Sequence, residues 1–113
     1  MPTKAKPTDL AIAKEFKNEL KEKLGDKVIE VILYGSRARG EARNDSDMDI
    51  FILMRQRPPY SSKESDIIAD IEYAFLDRYG VAISAIPFDV NEYNRRKKYV
   101  PVLYWIDQEG VKL

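Results

Sequence analysis

Residues 33–52, LYGSRARGEARNDSDMDIFI, carry an apolar strand into a Gly-Ser bend and return through two aspartates with one residue between them. Just upstream, Val28 to Tyr34 (VIEVILY) is β-branched and almost wholly apolar, the pattern of a central strand covered on both faces. Downstream, Met48 to Met54 reads as a second strand. Between them Ser36 to Asp47 is small and polar, with Gly40 and the Asn44-Asp45-Ser46 cluster marking turns. The two strands are expected to pair as a hairpin with a long loop.

Each part of this loop has a chemical use. Glycine lets the backbone turn sharply and approach an anion without a Cβ in the way, and free N–H groups at a turn or helix start donate to phosphate oxygens. Ser36 adds a hydroxyl donor beside Gly35, and Arg37 and Arg39 are close enough in sequence to offer guanidinium groups to the same anion. Residues two apart on a strand share a face, so Asp47 and Asp49 are predicted to project together while Met48 turns to the core. Two carboxylates held side by side repel and call for a cation. A Mg²⁺ (or Mn²⁺) ion held by one or two carboxylates takes substrate phosphates as its remaining ligands. A lone Gly-Ser is commonly a turn and a lone Asp-x-Asp a solvated edge; their combination points to chemistry.

Further out, residues 1–7 are polar with two prolines and are expected to fray, with Thr8 as the N-cap of a helix over Asp9–Leu24. Its apolar positions Ile12, Ala13, Phe16, Leu20 and Leu24 recur at three and four, and Gly25 stops it. Past the second strand, Arg55 to Ser62 with Pro58-Pro59 reads as a loop, and Ile67, Ile68, Ile71, Phe75 and Tyr79 define a second amphipathic helix ending before Gly80. Val81 to Ile86 is a third strand, stopped by Pro87. Asn91 is expected to cap a short helix bearing the solvated run Arg95–Lys98, and Pro101 to open a last helix stopped by Gly110, with Tyr99, Tyr104 and Trp105 read as core aromatics. Val111–Leu113 is read as a short edge strand. Strands alternating with helices give an α/β (α+β) layer structure, a small mixed sheet covered by helices, in a single domain over 1–113. Strand order is left open.

Composition narrows the function classes. Among 113 residues there is no cysteine and no histidine, which excludes disulfides, thiolate metal sites and imidazole bases. Any metal must be held by oxygen, which favours hard cations. The 19 Lys+Arg balance 19 Asp+Glu, so net charge gives no support to nucleic acid or membrane as a partner. No apolar run approaches the roughly 20 residues needed to span a bilayer, and the chain is expected to be cytoplasmic.

Gly35-Ser36, ten intervening residues and Asp47-Met48-Asp49 closely resemble the signature of the minimal nucleotidyltransferases, small relatives within the DNA polymerase beta superfamily. The strings GSRARG and SDMD strengthen the likeness, as does the closing Glu109-Gly110-Val111. The resemblance implies a nucleotidyltransferase fold in which Gly35 and Ser36 hold a nucleoside triphosphate, expected to be ATP, and catalytic Asp47 and Asp49 hold the metal. It implies transfer of AMP to a protein hydroxyl, as by antitoxins paired with a helical HEPN-type toxin, where a partner tyrosine is adenylylated. A homodimer or a partner subunit would complete a cleft this small. In one respect the sequence departs from the family: the third carboxylate usual on the following strand is missing from VAISAI, which offers Ala82 and Ser84 on one face, with Asp89 the nearest acid. The alternative implied by that departure is a catalytically inactive binding module acting by partner contact.

Overall fold

The computed structural model describes residues 3–113. Helix α1 (Pro7–Leu24) leads through a 3₁₀ turn (Gly25–Lys27) into β1 (Val28–Tyr34), a single turn of helix α2 (Ser36–Arg39) and β2 (Met48–Met54). Helix α3 (Lys63–Tyr79) crosses to β3 (Ile83–Asp89), and α4 (Val90–Arg96), α5 (Pro101–Glu109) and β4 (Val111–Lys112) close the chain. The sheet runs β3-β2-β1-β4. Strands β1 and β2 pair antiparallel as the expected hairpin, β2 and β3 run parallel, and β4 adds antiparallel to the free edge of β1.

The mixed sheet has helices on both faces. Val31 and Leu33 of β1 and Ile50 and Ile52 of β2 face Ala13, Phe16 and Leu20 of α1 and Ile68, Ile71 and Phe75 of α3. Phe16 and Phe75 meet edge to face, with ring centroids 5.3 Å apart. On the other face Ile32, Phe51 and Leu53 lie under Tyr93 of α4 and Leu103 and Ile106 of α5. Strand β2 is central and covered on both sides, which is why MDIFILM is apolar at nearly every position.

Several boundaries differ from the sequence reading, each for a local reason. Helix α1 starts at Pro7, not after Thr8: proline's fixed φ suits the first helical position, and the preceding Lys6 is extended with no side-chain cap. Of the stretch expected to fray, residues 1–2 lie outside the described residues, whereas Ala5 is buried in the core. Strand β3 runs through Pro87 to Asp89 and is not stopped there. It is an edge strand, and the Ala85 N–H points outward to Glu72 Oε2 at 3.1 Å. Two residues on, the N–H that Pro87 lacks would also point outward, so no ladder bond is lost. Helix α4 is capped by Asp89, not Asn91; the Asp89 carboxylate accepts from the Glu92 N–H at 2.9 Å.

The aromatics expected in the core are outside it: Tyr99, before α5, is exposed, and so are Tyr104 and Trp105, because α5 buries the face carrying Leu103 and Ile106. In the basic run, Arg96 pairs with Glu92 and Lys97 with Asp107, in keeping with a solvated face. Among the described residues no helix is long and apolar enough to cross a membrane.

Candidate functional site

The site forms where β1 ends and β2 begins. Tyr34, the last residue of β1, is directly opposite Asp49 in the hairpin register, so the next residue must turn past the Asp49 side chain. Gly35 makes that turn with φ 77° and ψ −159°, backbone geometry that costs any residue with a Cβ. A Cβ added at Gly35 would also fall on the Asp49 carboxylate, far inside van der Waals contact. The absent side chain is thus what lets backbone and carboxylate approach. Helix α2 begins immediately afterwards, with the Ala38 and Arg39 N–H groups bonding back to the Gly35 carbonyl. The first N–H groups of a helix have no intrahelical acceptor, and here they belong to Ser36 and Arg37.

Met48 is fully buried and turns inward as expected, leaving Asp47 exposed and Asp49 half-buried on the opposite side. The Asp49 carboxyl is held above the ordinary carboxylate value by its partial burial first and by the negative charge of Asp47 second, with the positive charge of Arg39 opposing. Arg39 and Asp47 therefore both act on Asp49 through space. Burial first and the Asp49 charge second also push the Tyr34 hydroxyl up. Gly35, Ser36, Arg39, Asp47 and Asp49 are brought to one end of the sheet, Arg39 being exposed with Glu41 at 3.2 Å. Their donor set, two neighbouring carboxylates beside a bend without a side chain, is one that a hard divalent cation and a phosphate fit.

Arg37 is placed differently from its sequence reading as a phosphate donor. Its side chain is buried, and Nη1 pairs with Asp9 Oδ1 of α1 at 2.7 Å. Nε and Nη2 donate to the Ser46 carbonyl at 3.1 and 2.6 Å, and Nη2 also reaches the Asn44 carbonyl at 3.4 Å. With its donors committed to the protein, Arg37 is a part of the loop's framework. Asp9 was not singled out in the sequence. The signal was nevertheless present: it continues the buried stripe Ala13, Phe16, Leu20, Leu24, and an acid on an apolar stripe needs a partner.

The parallel register sets Ser84 of β3 opposite Asp49, so Tyr34, Asp49 and Ser84 form a row across one face of the sheet. A hydroxyl stands where the next strand could bring a third acid. Asp89 is opposite Met54 at the far end of β2 and is occupied as the cap of α4. Among the described residues no group of three or more acidic, histidine or cysteine side chains is placed to hold a metal. The capping role makes a prediction. Asp89→Asn should leave stability and any metal-dependent activity unchanged, and Asp89→Ala should cost about 1 kcal/mol in denaturant unfolding with activity intact. Loss of activity in a folded Asp89→Asn protein would instead make Asp89 part of the site.

Two open cavities lie near the site, and neither is lined by Gly35, Ser36, Asp47 or Asp49. One of about 730 Å³ has Arg39, Glu41, Gln108 and Lys112 in its wall, and an apolar one of about 460 Å³ runs from Tyr34 and Phe51 toward Ile86 and Val102. Both fall in the size range of small-molecule sites.

Comparison with known proteins shows the family of the chain. Three proteins of Methanocaldococcus jannaschii, provisionally named protein adenylyltransferases, are similar to this chain. The first is 39% identical over 75 residues, covering 66% of this chain and 51% of the relative, so the chain matches about half the length of that protein. The second is 38% identical over 77 residues (68% of this chain, 76% of the relative) and the third 35% over 83 residues (74% and 76%). A crystal structure of a provisionally named nucleotidyltransferase from Sulfolobus solfataricus shares the fold, with a TM-score of 0.53 at 23% identity, covering 93% of this chain and 78% of that one. The nucleotidyltransferase domain model matches residues 13–110, which span both strands of the hairpin, the Gly-Ser bend and the acid pair, and the chain belongs to that family.

Proposed function

We propose that this chain is a metal-dependent nucleotidyltransferase that moves AMP from ATP onto a hydroxyl of a partner protein. The observation that carries the reading is the close approach of Gly35 to the Asp49 carboxylate, with Asp47 and Arg39 both acting on that carboxylate. Adenylyl transfer to a protein is the activity in the names of the three relatives.

In this reading Asp47 and Asp49 hold Mg²⁺ or Mn²⁺, and the Gly35-Ser36 bend receives the triphosphate through the Ser36 hydroxyl and the first N–H groups of α2. Arg39 offers its guanidinium to the same phosphates. Asp49 orients one side of the reacting centre, and the open face beside Ser84 admits the acceptor hydroxyl, which displaces pyrophosphate at the α-phosphorus. A divalent cation, when bound, stabilises the charge that develops on the phosphate oxygens. The acceptor is a tyrosine of a helical HEPN-type protein, this chain acts as the antitoxin of the pair in the cytoplasm, and the partner or a second copy completes the cleft.

The test is transfer of label from α-labelled ATP to the partner in the presence of Mg²⁺. Label from the α position but not the γ position, abolished by chelation and by Asp47→Asn, is the expected result. A second reading, a binding module without catalysis, is favoured by the hydroxyl of Ser84 opposite Asp49 where a further acid would stand. Neutralisation of the partner by Asp47→Asn/Asp49→Asn, with no label transferred by the unaltered chain, would select it.

A further inference from the structure

Asp47, although an acid of the proposed metal site, precedes β2 and is exposed, so neither the sheet ladder nor the core holds it directly. What fixes it is the backbone on each side. After it, the Met48 N–H donates to the Ala82 carbonyl at 2.8 Å and the Met48 side chain is fully buried. Before it, the Ser46 carbonyl accepts two hydrogen bonds from one guanidinium, that of Arg37. The same turn is closed by the Ser46 N–H on the Arg43 carbonyl at 3.0 Å and by the Arg43 N–H on Ser46 Oγ at 2.9 Å.

We infer that Arg37, oriented by Asp9, is a positioning residue that clamps the Ser46–Asp47 peptide and thereby aims Asp47 at Asp49. The inference rests on the acid-pair reading above. Arg37 and Asp9 are 6% and 5% exposed, so this ion pair is desolvated and has few alternative partners. A planar guanidinium can meet a carboxylate on one edge and a carbonyl on the other, which a lysine ammonium cannot do in the same geometry. Asp9 is in the first turn of α1, which ties the leading helix to the loop before the acid pair. Buried ion pairs contribute little net stability over apolar residues of similar volume. A pair kept here for its geometry is consistent with that, since the loop is otherwise short of packing: Asn44, Asp45 and Asp47 are all exposed.

The experiment separates position from stability. In Asp9→Leu/Arg37→Met the ion pair is replaced by apolar side chains, and the thermal midpoint should be unchanged or higher. Amide hydrogen exchange at Arg43 and Ser46 should nevertheless rise at least tenfold with exchange in β2 unaltered, and Mn²⁺ affinity should fall about tenfold, the size of effect that groups orienting metal ligands have. In parallel, Arg37→Lys keeps the charge beside Asp9 and should show the same loss of loop protection and of Mn²⁺ affinity. Loop exchange or Mn²⁺ affinity equal to that of the unaltered chain, in either folded variant, would overturn the inference. Failure of the unaltered chain to bind Mn²⁺ would count against the acid-pair reading, and the exchange measurement would still decide whether the clamp exists.

Discussion

Asp49→Asn is expected to lower metal-dependent adenylyl transfer by on the order of 10³-fold while leaving the metal-free protein at least as stable as before. The activity loss corresponds to about 4 kcal/mol of transition-state charge stabilisation, the several kcal/mol expected when a metal is no longer held. The stability follows from the direction of the Asp49 shift. Its carboxyl is raised above the ordinary 3.8 by burial and by Asp47, so the folded state prefers it protonated. Below 3.8 both states hold the proton and the favourable contribution is fully present. As pH rises the unfolded state ionises first, and the contribution is lost as pH passes through the raised folded value. Thermal midpoints measured across the acid range without divalent cation should therefore diverge above 3.8, with the asparagine variant gaining on the unaltered chain. Adding Mg²⁺ and ATP should reverse the order, because only the unaltered chain gains stability by binding. Equal midpoints at every pH would mean that neither burial nor the Asp47 charge raises the Asp49 carboxyl.

Gly35→Ala is expected to damage both stability and activity, for two separable reasons. At φ 77° and ψ −159° a side chain is strained by about 1–3 kcal/mol, which lowers the midpoint by several degrees. In addition the new methyl would displace the Asp49 carboxylate, so transfer should fall at least as far as in Asp49→Asn. Gly80→Ala is the control: φ is 66° there, but a Cβ would meet nothing within 4 Å. It should cost about 1–2 kcal/mol of backbone strain in denaturant unfolding and leave activity untouched. Activity lost equally in both variants would show that the Gly35 effect is mere destabilisation.

The hairpin, its long loop and the inward turn of Met48 were legible in the sequence because each depends on local pattern: an apolar run on each side, turn residues between, and alternation along a strand. The convergence of Gly35 with Asp49 was legible for the same reason, since both are within one hairpin. Arg37 was misread because its role depends on Asp9, which is 28 residues upstream and reaches the loop only once α1 packs on the sheet. Residue type next to a Gly-Ser bend does not say whether a guanidinium faces a ligand or a carbonyl. The end of β3 was misread because proline stops a central strand but not the outward-facing position of an edge strand, and the edge is a property of the whole sheet. In α5 apolar side chains occur on both sides, Leu103 and Ile106 inward and Val102 and Trp105 outward, so periodicity alone could not choose the buried face. Ser84 could be matched to Asp49 only through the parallel register of β2 and β3.

The central claim is that Asp47 and Asp49 hold a divalent ion against a triphosphate seated on the Gly35-Ser36 bend. Crystals grown with Mn²⁺ and a non-hydrolysable ATP analogue test it most directly, because manganese is located by its anomalous scattering. A peak between the two carboxylates, with phosphate oxygens on Ser36 and Arg39, is the expected result. No peak there, or a triphosphate bound away from Gly35, would contradict it.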